Sequence, residues 1–70
     1  MNGPSVIVDF RDGVYIPYYC WPVTVQNETI MVKIDKVMLD RMPMEPRKRL
    51  IKREIVNAHH ALLSKLINVE

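Results

Sequence analysis

Near the start of the chain, Val6, Val8 and Phe10 alternate with Ile7 and Asp9. A repeat of two residues is typical of a strand with one buried face. Asp12-Gly13 follows, and this dipeptide favours the positive φ angles of a tight hairpin turn. Residues 14–21, rich in β-branched and aromatic side chains, then predict a returning strand. Because Pro17 cannot donate a ladder hydrogen bond, we expect this strand to lie at a sheet edge or to break there.

Pro22 predicts a bend, and two further short apolar runs follow it. Residues 23–25 indicate a third strand and residues 30–34 a fourth, with the polar residues 26–29 as the turn between them. Successive hairpins of this kind form an antiparallel meander. We therefore predict a sheet of three or four strands within residues 1–34.

Asp35 is placed to cap a short helix over residues 35–42. The alternative for this segment is an extension of the last strand into a loop. Pro43 and Pro46 then interrupt the chain. Proline suits the first position of a helix, where its missing N–H is not needed, so we expect a long helix to begin at Pro46.

Residues 46–68 have the pattern of a long amphipathic helix. Apolar side chains recur at spacings of three and four residues, as one face of a helix requires. This first stripe contains Ile51, Ile55, Ala58, Leu62 and Leu66. The elements together predict the α+β class: a single domain over residues 1–70, with a small antiparallel β-meander followed by a short helix and a long C-terminal amphipathic helix.

A second apolar stripe, formed by Val56, Leu63 and Ile67, lies about 120° around the same helix. One small sheet rarely covers so wide an apolar arc. Either the short helix covers the second stripe, or a partner protein or a second copy of the chain does.

The length and composition of the chain also favour a partner. The chain has 70 residues, 49% of them hydrophobic, and a domain this short has little core to stabilise it. Cys20 is the single cysteine of the sequence, so no disulfide can form within the chain. We therefore expect self-association or an unusually efficient core. The lone cysteine, the lack of a signal peptide and the lack of the roughly 20 apolar residues of a membrane span predict an intracellular, cytoplasmic protein.

The net charge of +2 is divided unevenly. Residues 1–45 carry four Lys or Arg against six acids, and residues 46–70 carry six against two. Five cations lie at the start of the long helix: Arg47, Lys48, Arg49, Lys52 and Arg53. The helix dipole disfavours cations there, which suggests that they bind phosphates or an acidic protein surface. The alternative is an ordinary solvated face.

Four aromatic residues lie within residues 15–21, and Phe10 is near them in the sequence. Such a cluster can stack on single-stranded nucleic acid, bind a protein, or form the core of the sheet. We expect Trp21 and Phe10 in the core. Tyr18 and Tyr19 point to opposite faces of a regular strand, so we expect at least one of them to be exposed.

Residues with catalytic or metal-binding potential are scattered. His59 and His60 are adjacent, whereas histidines that bind one metal from a helix lie three or four residues apart. We expect His59 to border the core, His60 to face solvent or a partner, and Cys20 to be a buried thiol. The sequence therefore predicts no catalytic residue, metal, cofactor or small-molecule substrate.

These observations predict a non-enzymatic regulator, adaptor or inhibitor that binds another protein, or itself as a homodimer. The residues expected to contact the partner are Val56, Leu63, Ile67, His60, Tyr18 and Tyr19, and the five cations would steer the chain to an acidic partner. The alternative is a small dimeric nucleic-acid-binding protein that contacts phosphates through the same cations.

Overall fold

The computed structural model describes residues 3–67, which form three strands followed by two helices. The elements are β1 (Ser5–Arg11), β2 (Val14–Val25), β3 (Glu28–Asp35), α1 (Lys36–Asp40) and α2 (Met44–Ile67). The strands pair antiparallel in the order β1-β2-β3. The predicted α+β class, with a meander, a short helix and a long C-terminal helix, is confirmed.

β2 is one continuous strand that contains Pro17 and Pro22. Residues 23–25 are its last three residues, so the bend predicted at Pro22 does not create a fourth strand in the described part of the chain. β1 pairs with residues 14–20 of β2, and β3 pairs with residues 18–25. Pro17 therefore lies beyond the end of β3, and Pro22 lies beyond the end of β1.

This arrangement explains why a central strand tolerates proline. In a hairpin closed by two residues, the pair of residues that flanks the turn exchanges both backbone hydrogen bonds. These pairs are Arg11–Val14 and Val25–Glu28. Even-numbered residues of β2 therefore form hydrogen bonds with β1, and odd-numbered residues form them with β3. The N–H that Pro17 lacks would point to the side of β3, and that of Pro22 to the side of β1. Neither position has a partner there. The expectation that Pro17 places this strand at an edge or breaks it is therefore wrong.

Both hairpins close with two residues in the left-handed region. The φ angles are 52° and 78° at Asp12 and Gly13, and 48° and 72° at Gln26 and Asn27. Positive φ at both central positions identifies the type I′ turn, whose twist matches that of the flanking strands. The first turn is as predicted. The second is shorter than the predicted residues 26–29, because Glu28 already pairs with Val25.

The hydrophobic core lies on one face of the β2–β3 hairpin. It contains Val23, Val25, Val32 and Ile34 of the sheet, Leu39 of α1 and Leu62 of α2. α2 packs on β2 and β3, with most of its first stripe half-buried against these residues. The stripe of Ile51, Ile55, Ala58, Leu62 and Leu66 is therefore the core face of the helix.

Local capping defines α1. The Asp35 side chain accepts a hydrogen bond from the backbone N–H of Met38 at 3.0 Å, which confirms the predicted cap and excludes a continued strand. After a short turn, the backbone N–H of Arg47 donates to the carbonyl of Pro43 at 3.1 Å. α2 thus begins at Met44, two residues before the predicted start.

The two hairpins are staggered along β2. Within the described chain, residues 18–20 of β2 are the ones that pair on both sides. The β1–β2 hairpin therefore extends beyond β3, and β1 packs closely on β2, whereas α2 packs on β2 and β3. The molecule measures 41 × 32 × 23 Å, and its radius of gyration is 14.0 Å. A compact chain of this length has a radius of about 11 Å.

Candidate functional site

An open groove of about 830 Å³ lies between α1 and the first half of α2. Its apolar lining comes from Met38 in α1, Met42 just after it, and Pro46, Leu50 and Val56 in α2. Methionine side chains are flexible and polarisable, and they adapt to differently shaped ligands. The groove therefore offers an adaptable apolar surface to solvent.

The groove exists because α1 is too short to cover α2. α1 has five residues, and its Leu39 is buried in the core of the sheet. Met38 precedes Leu39 and lines the groove, where it and Val56 remain exposed. The short helix thus covers the second stripe of α2 incompletely.

The structure does not bring the three residues of the second stripe together into one surface. Val56 lines the groove, Leu63 is half-buried against the core, and Ile67 is 75% exposed at the far end of the described helix. Of the three, Val56 is the one that remains beside the cations.

Three of the five predicted cations line the groove: Arg49, Lys52 and Arg53. Arg53 Nη2 lies 3.9 Å from Glu54 Oε2, an exposed contact that contributes little stability. In residues 3–67, Arg49 and Lys52 form no salt bridge. The rim of the groove is therefore positively charged, beside an apolar lining. Lys48 is exposed but does not line the groove.

Arg47 has a structural contact instead. Its Nη2 lies 3.8 Å from Oδ1 of Asp40, the last residue of α1. The same Oδ1 accepts a hydrogen bond from the Tyr19 hydroxyl at 2.6 Å, and Oδ2 accepts one from Lys36 Nζ at 2.9 Å. Asp40 thus connects β2, α1 and the start of α2. Sequence reasoning missed this cluster, because Tyr19 and Asp40 are 21 residues apart.

These hydrogen bonds set the titration of the cluster. The bond from Tyr19, followed by that from Lys36, lowers the pKa of Asp40 below its usual value. The bond to Asp40 raises the pKa of the Tyr19 hydroxyl, and partial desolvation adds to this effect. The hydrogen bond to Asp40 is also the main reason that the pKa of Lys36 is raised. The cluster is therefore ionised at Asp40 and Lys36, with Tyr19 neutral, near neutral pH.

Tyr18 and Tyr19 lie on opposite faces of the sheet, as the alternation predicts. Both are half-buried, so the expectation that at least one of them is exposed is wrong. The Tyr19 ring packs near Trp21, with ring centroids 6.1 Å apart, and both rings pack against the core. Lys33 Nζ lies 5.1 Å from the Tyr18 ring centroid and donates a hydrogen bond to Asp9 Oδ2 at 3.0 Å. Tyr18 therefore lies on the face away from α2, and the structure does not bring either tyrosine to the groove.

Phe10 is the clearest departure from the predicted core. Trp21 packs against the core as expected, but Phe10 is 63% exposed. Its ring contacts the exposed Tyr15 ring, with centroids 4.8 Å apart. The cause is the stagger of the hairpins, which places both rings beyond the part of the sheet that α2 covers.

The histidines and the cysteine also have defined places. His59 and His60 are both exposed on α2, so His59 does not border the core as predicted, because the core face is occupied by the neighbouring Ala58 and Leu62. Cys20 is buried as expected, on the face of the sheet opposite the core. Among residues 3–67, no group of three His, Cys, Asp or Glu side chains is placed to hold a metal ion. None of the described helices is long and apolar enough to cross a membrane.

Known proteins add no further guide to the site. No protein-family model matches the chain, and no curated protein or solved structure shows significant similarity to it. The groove and the charges around it are therefore the features of the molecule that bear on its function.

Proposed function

We propose that the chain is a protein-binding regulator or adaptor whose groove between α1 and α2 accepts an acidic, amphipathic segment of another protein. The observation that supports this proposal is the juxtaposition of an exposed apolar lining with three cations, Arg49, Lys52 and Arg53. An amphipathic helix that docks in a groove places apolar anchors on the lining and polar residues toward the rim.

The lining and the rim would contribute differently to binding. Apolar anchors buried against Met38, Met42 and Val56 would supply most of the affinity, because a few desolvated contacts dominate most interfaces. The cations would mainly accelerate association and select acidic partners. Affinity should therefore fall moderately with salt, while loss of the apolar lining should abolish binding.

A pair of synthetic peptides tests this division. Both would be amphipathic helices with the same leucine anchors, one with glutamate and the other with lysine on the flanking positions. Binding would be followed by NMR of methyl-labelled methionines, because Met38 and Met42 lie in the groove, whereas Met31 is exposed on β3. We expect the glutamate peptide to shift the Met38 and Met42 signals and to leave Met31 unchanged. No shift, or equal shifts with the lysine peptide, contradicts the proposal.

Variants provide matched controls for the same experiment. Val56→Glu introduces a charge into the groove, and Ile67→Glu introduces one at an exposed site outside it. We expect the first to weaken binding of the glutamate peptide at least about tenfold and the second to leave it within about twofold. Equal effects of the two variants would place the peptide elsewhere.

Nucleic-acid binding is the competing outcome. Phosphate contact requires the cations but not an apolar lining, so it would leave the exposed lining of the groove without a role. A gel-shift with mixed DNA and RNA at low salt should show no complex. A complex whose affinity falls linearly with salt on a log–log plot, and which Val56→Glu leaves unchanged, would replace the protein-binding proposal.

A further inference from the structure

β1 forms an unprotected edge of the sheet. In the described part of the chain, no strand pairs with its outer side. Its seven residues contain no proline or lysine, and its two charged residues, Asp9 and Arg11, form their backbone hydrogen bonds with β2. Its register with β2 is continuous from Ser5 to Arg11, without a bulge. Natural proteins usually protect an edge with one of these features or with a covering element, because a bare edge pairs readily with another strand.

The free backbone groups of this edge belong to apolar residues. Odd-numbered residues of β1 exchange hydrogen bonds with β2, so the N–H and C=O groups that point outward are those of Val6, Val8 and Phe10. The side chains of the same three residues lie on the face that carries α2, but outside the area it covers. They are 51%, 56% and 63% exposed. Hydrogen-bonding capacity and apolar surface therefore coincide at these residues.

The opposite edge differs. The outward backbone groups of β3 belong to Thr29, Met31, Lys33 and Asp35. Two of these four carry charges, and the chain turns from Asp35 directly into α1. A lysine on an edge strand disfavours further pairing. The sheet is therefore open to extension on the β1 side.

We propose that two copies of the chain pair antiparallel through β1, about a two-fold axis at Val8, to form one continuous sheet. This register places Val6 of each copy opposite Phe10 of the other, and Val8 opposite Val8. On the other face, Asp9 lies opposite Ile7 of the second copy, and Arg11 opposite Ser5. All seven residues of each strand are then paired.

Neighbouring registers are less favourable. A two-fold axis at Asp9 would place two carboxylates directly opposite each other, which destabilises a strand pair. An axis at Ile7 would leave Phe10 opposite Pro4, which precedes the strand. The sequence of β1 is therefore best matched to itself when Val8 is at the centre.

The available surface favours a second copy and a weak complex. The accessible surface of the chain is 5380 Å², whereas a compact monomer of 8.2 kDa has about 4,500 Å². Val6, Val8, Phe10 and the adjoining Tyr15 together offer on the order of 400 Å² of apolar surface per copy. Two copies would together bury at most about 800 Å² of this surface, less than the roughly 1,200–2,000 Å² of stable interfaces, so we expect a weak dimer with a dissociation constant in the micromolar range or above. Two-fold pairing also uses both bare edges and cannot propagate into a fibre.

Disulfide trapping tests the interface and its register. The axis at Val8 places the two Val8 Cα atoms about 5.5 Å apart, within the range that a disulfide spans. Val8→Cys should therefore form a covalent dimer under mild oxidation. Met31→Cys is the matched control, because Met31 is similarly exposed, at 53%, but lies on β3. Cys20 is present in both variants and is buried. Equal crosslinking of the two variants, or none, overturns the proposal.

Sedimentation velocity over a concentration series gives an independent result. The wild-type chain should shift from 8.2 kDa toward twice that mass as its concentration rises. Val8→Lys should raise the dissociation constant at least about tenfold, whereas Met31→Lys should not. Circular dichroism would establish that both variants are folded. A wild-type chain that stays monomeric, or a dimer that Val8→Lys does not weaken, overturns the proposal. These results do not depend on the groove, so they stand apart from the proposed function.

Discussion

The two hairpins of this sheet are built alike but end in different environments. Each has a type I′ turn and apolar residues on the same face of the sheet. In the β2–β3 hairpin those residues are buried under α1 and α2, whereas Val6, Val8 and Phe10 of β1 remain exposed. Apolar alternation thus produced a core in one hairpin and an open surface in the other.

The difference arises from chain connectivity rather than from side-chain chemistry. The helices follow β3 directly, so α2 packs on β3 and its neighbour β2. β1 is one strand further away, and the stagger of the hairpins moves the Asp12-Gly13 turn beyond the helix. A period of two residues therefore identifies the apolar face of a strand, but it does not show whether another element covers that face.

The largest expected difference between the hairpins is in side-chain burial. Leu62→Ala should lower the free energy of unfolding by about 3 kcal/mol, because it leaves a cavity in the core, and this is most of the stability of so small a domain. Phe10→Ala should cost only about 0.5–1 kcal/mol in the monomer, the contribution of its contact with the Tyr15 ring. Urea denaturation followed by Trp21 fluorescence, at low protein concentration, measures both. Similar losses would mean that the β1–β2 hairpin is covered in the free chain.

The turns provide a smaller contrast. Gly13→Ala should destabilise the chain by about 1 kcal/mol, because alanine resists a φ of 78°. No neighbouring atom lies within 4 Å of the added Cβ, so the effect reports backbone conformation alone. Asn27→Gly, at the equivalent position of the other turn, should stabilise it by a few tenths of a kcal/mol. Thermal denaturation of the two variants measures the difference, and effects of the same sign would show that the turns are not equivalent.

The smallest expected effect concerns the Asp40 cluster, which connects β2, α1 and α2 in the half of the sheet that the helices cover. The pKa of Asp40 is lower in the folded chain than its ordinary value of 3.8, mainly because Tyr19 donates a hydrogen bond to it. Its contribution to stability is therefore present above about pH 4 and is lost as the pH falls through the lowered pKa. Asp40→Asn should reduce the loss of stability between about pH 6 and pH 3.

Tyr19→Phe refines the same test. It removes the first cause of the lowered pKa while keeping an aromatic ring against the core. We expect a pH dependence between those of the wild-type chain and Asp40→Asn, measured as urea midpoints across the same range. A pH dependence that neither substitution changes would show that the cluster does not contribute in solution.

Features that depend on neighbouring residues could be predicted from the sequence. The long helix followed from its apolar spacing, the first turn from Asp12-Gly13, and the start of α1 from Asp35. Each rests on interactions within a few residues, where propensity and capping act directly.

Features that depend on distant residues could not be predicted. The contact between Tyr19 and Asp40 requires the path of the chain from β2 to α1, and the exposure of Phe10 requires the limit of α2 coverage. The lining of the groove could be predicted only in part. Val56 and the three cations of the rim were identified, but Met38 and Met42 were not, because no periodic pattern links them to α2.

The prolines of β2 have a consequence for the length of its neighbours. If β3 continued past Asp35, its next residue, Lys36, would lie opposite Pro17, and if β1 began two residues earlier, Gly3 would lie opposite Pro22. Each proline thus prevents the adjoining strand from extending further, because it cannot donate the next hydrogen bond. Pro17 therefore ends β3 at Asp35, where α1 can begin. One proline in the middle strand thereby sets the position of the helical layer, and with it the position of the groove.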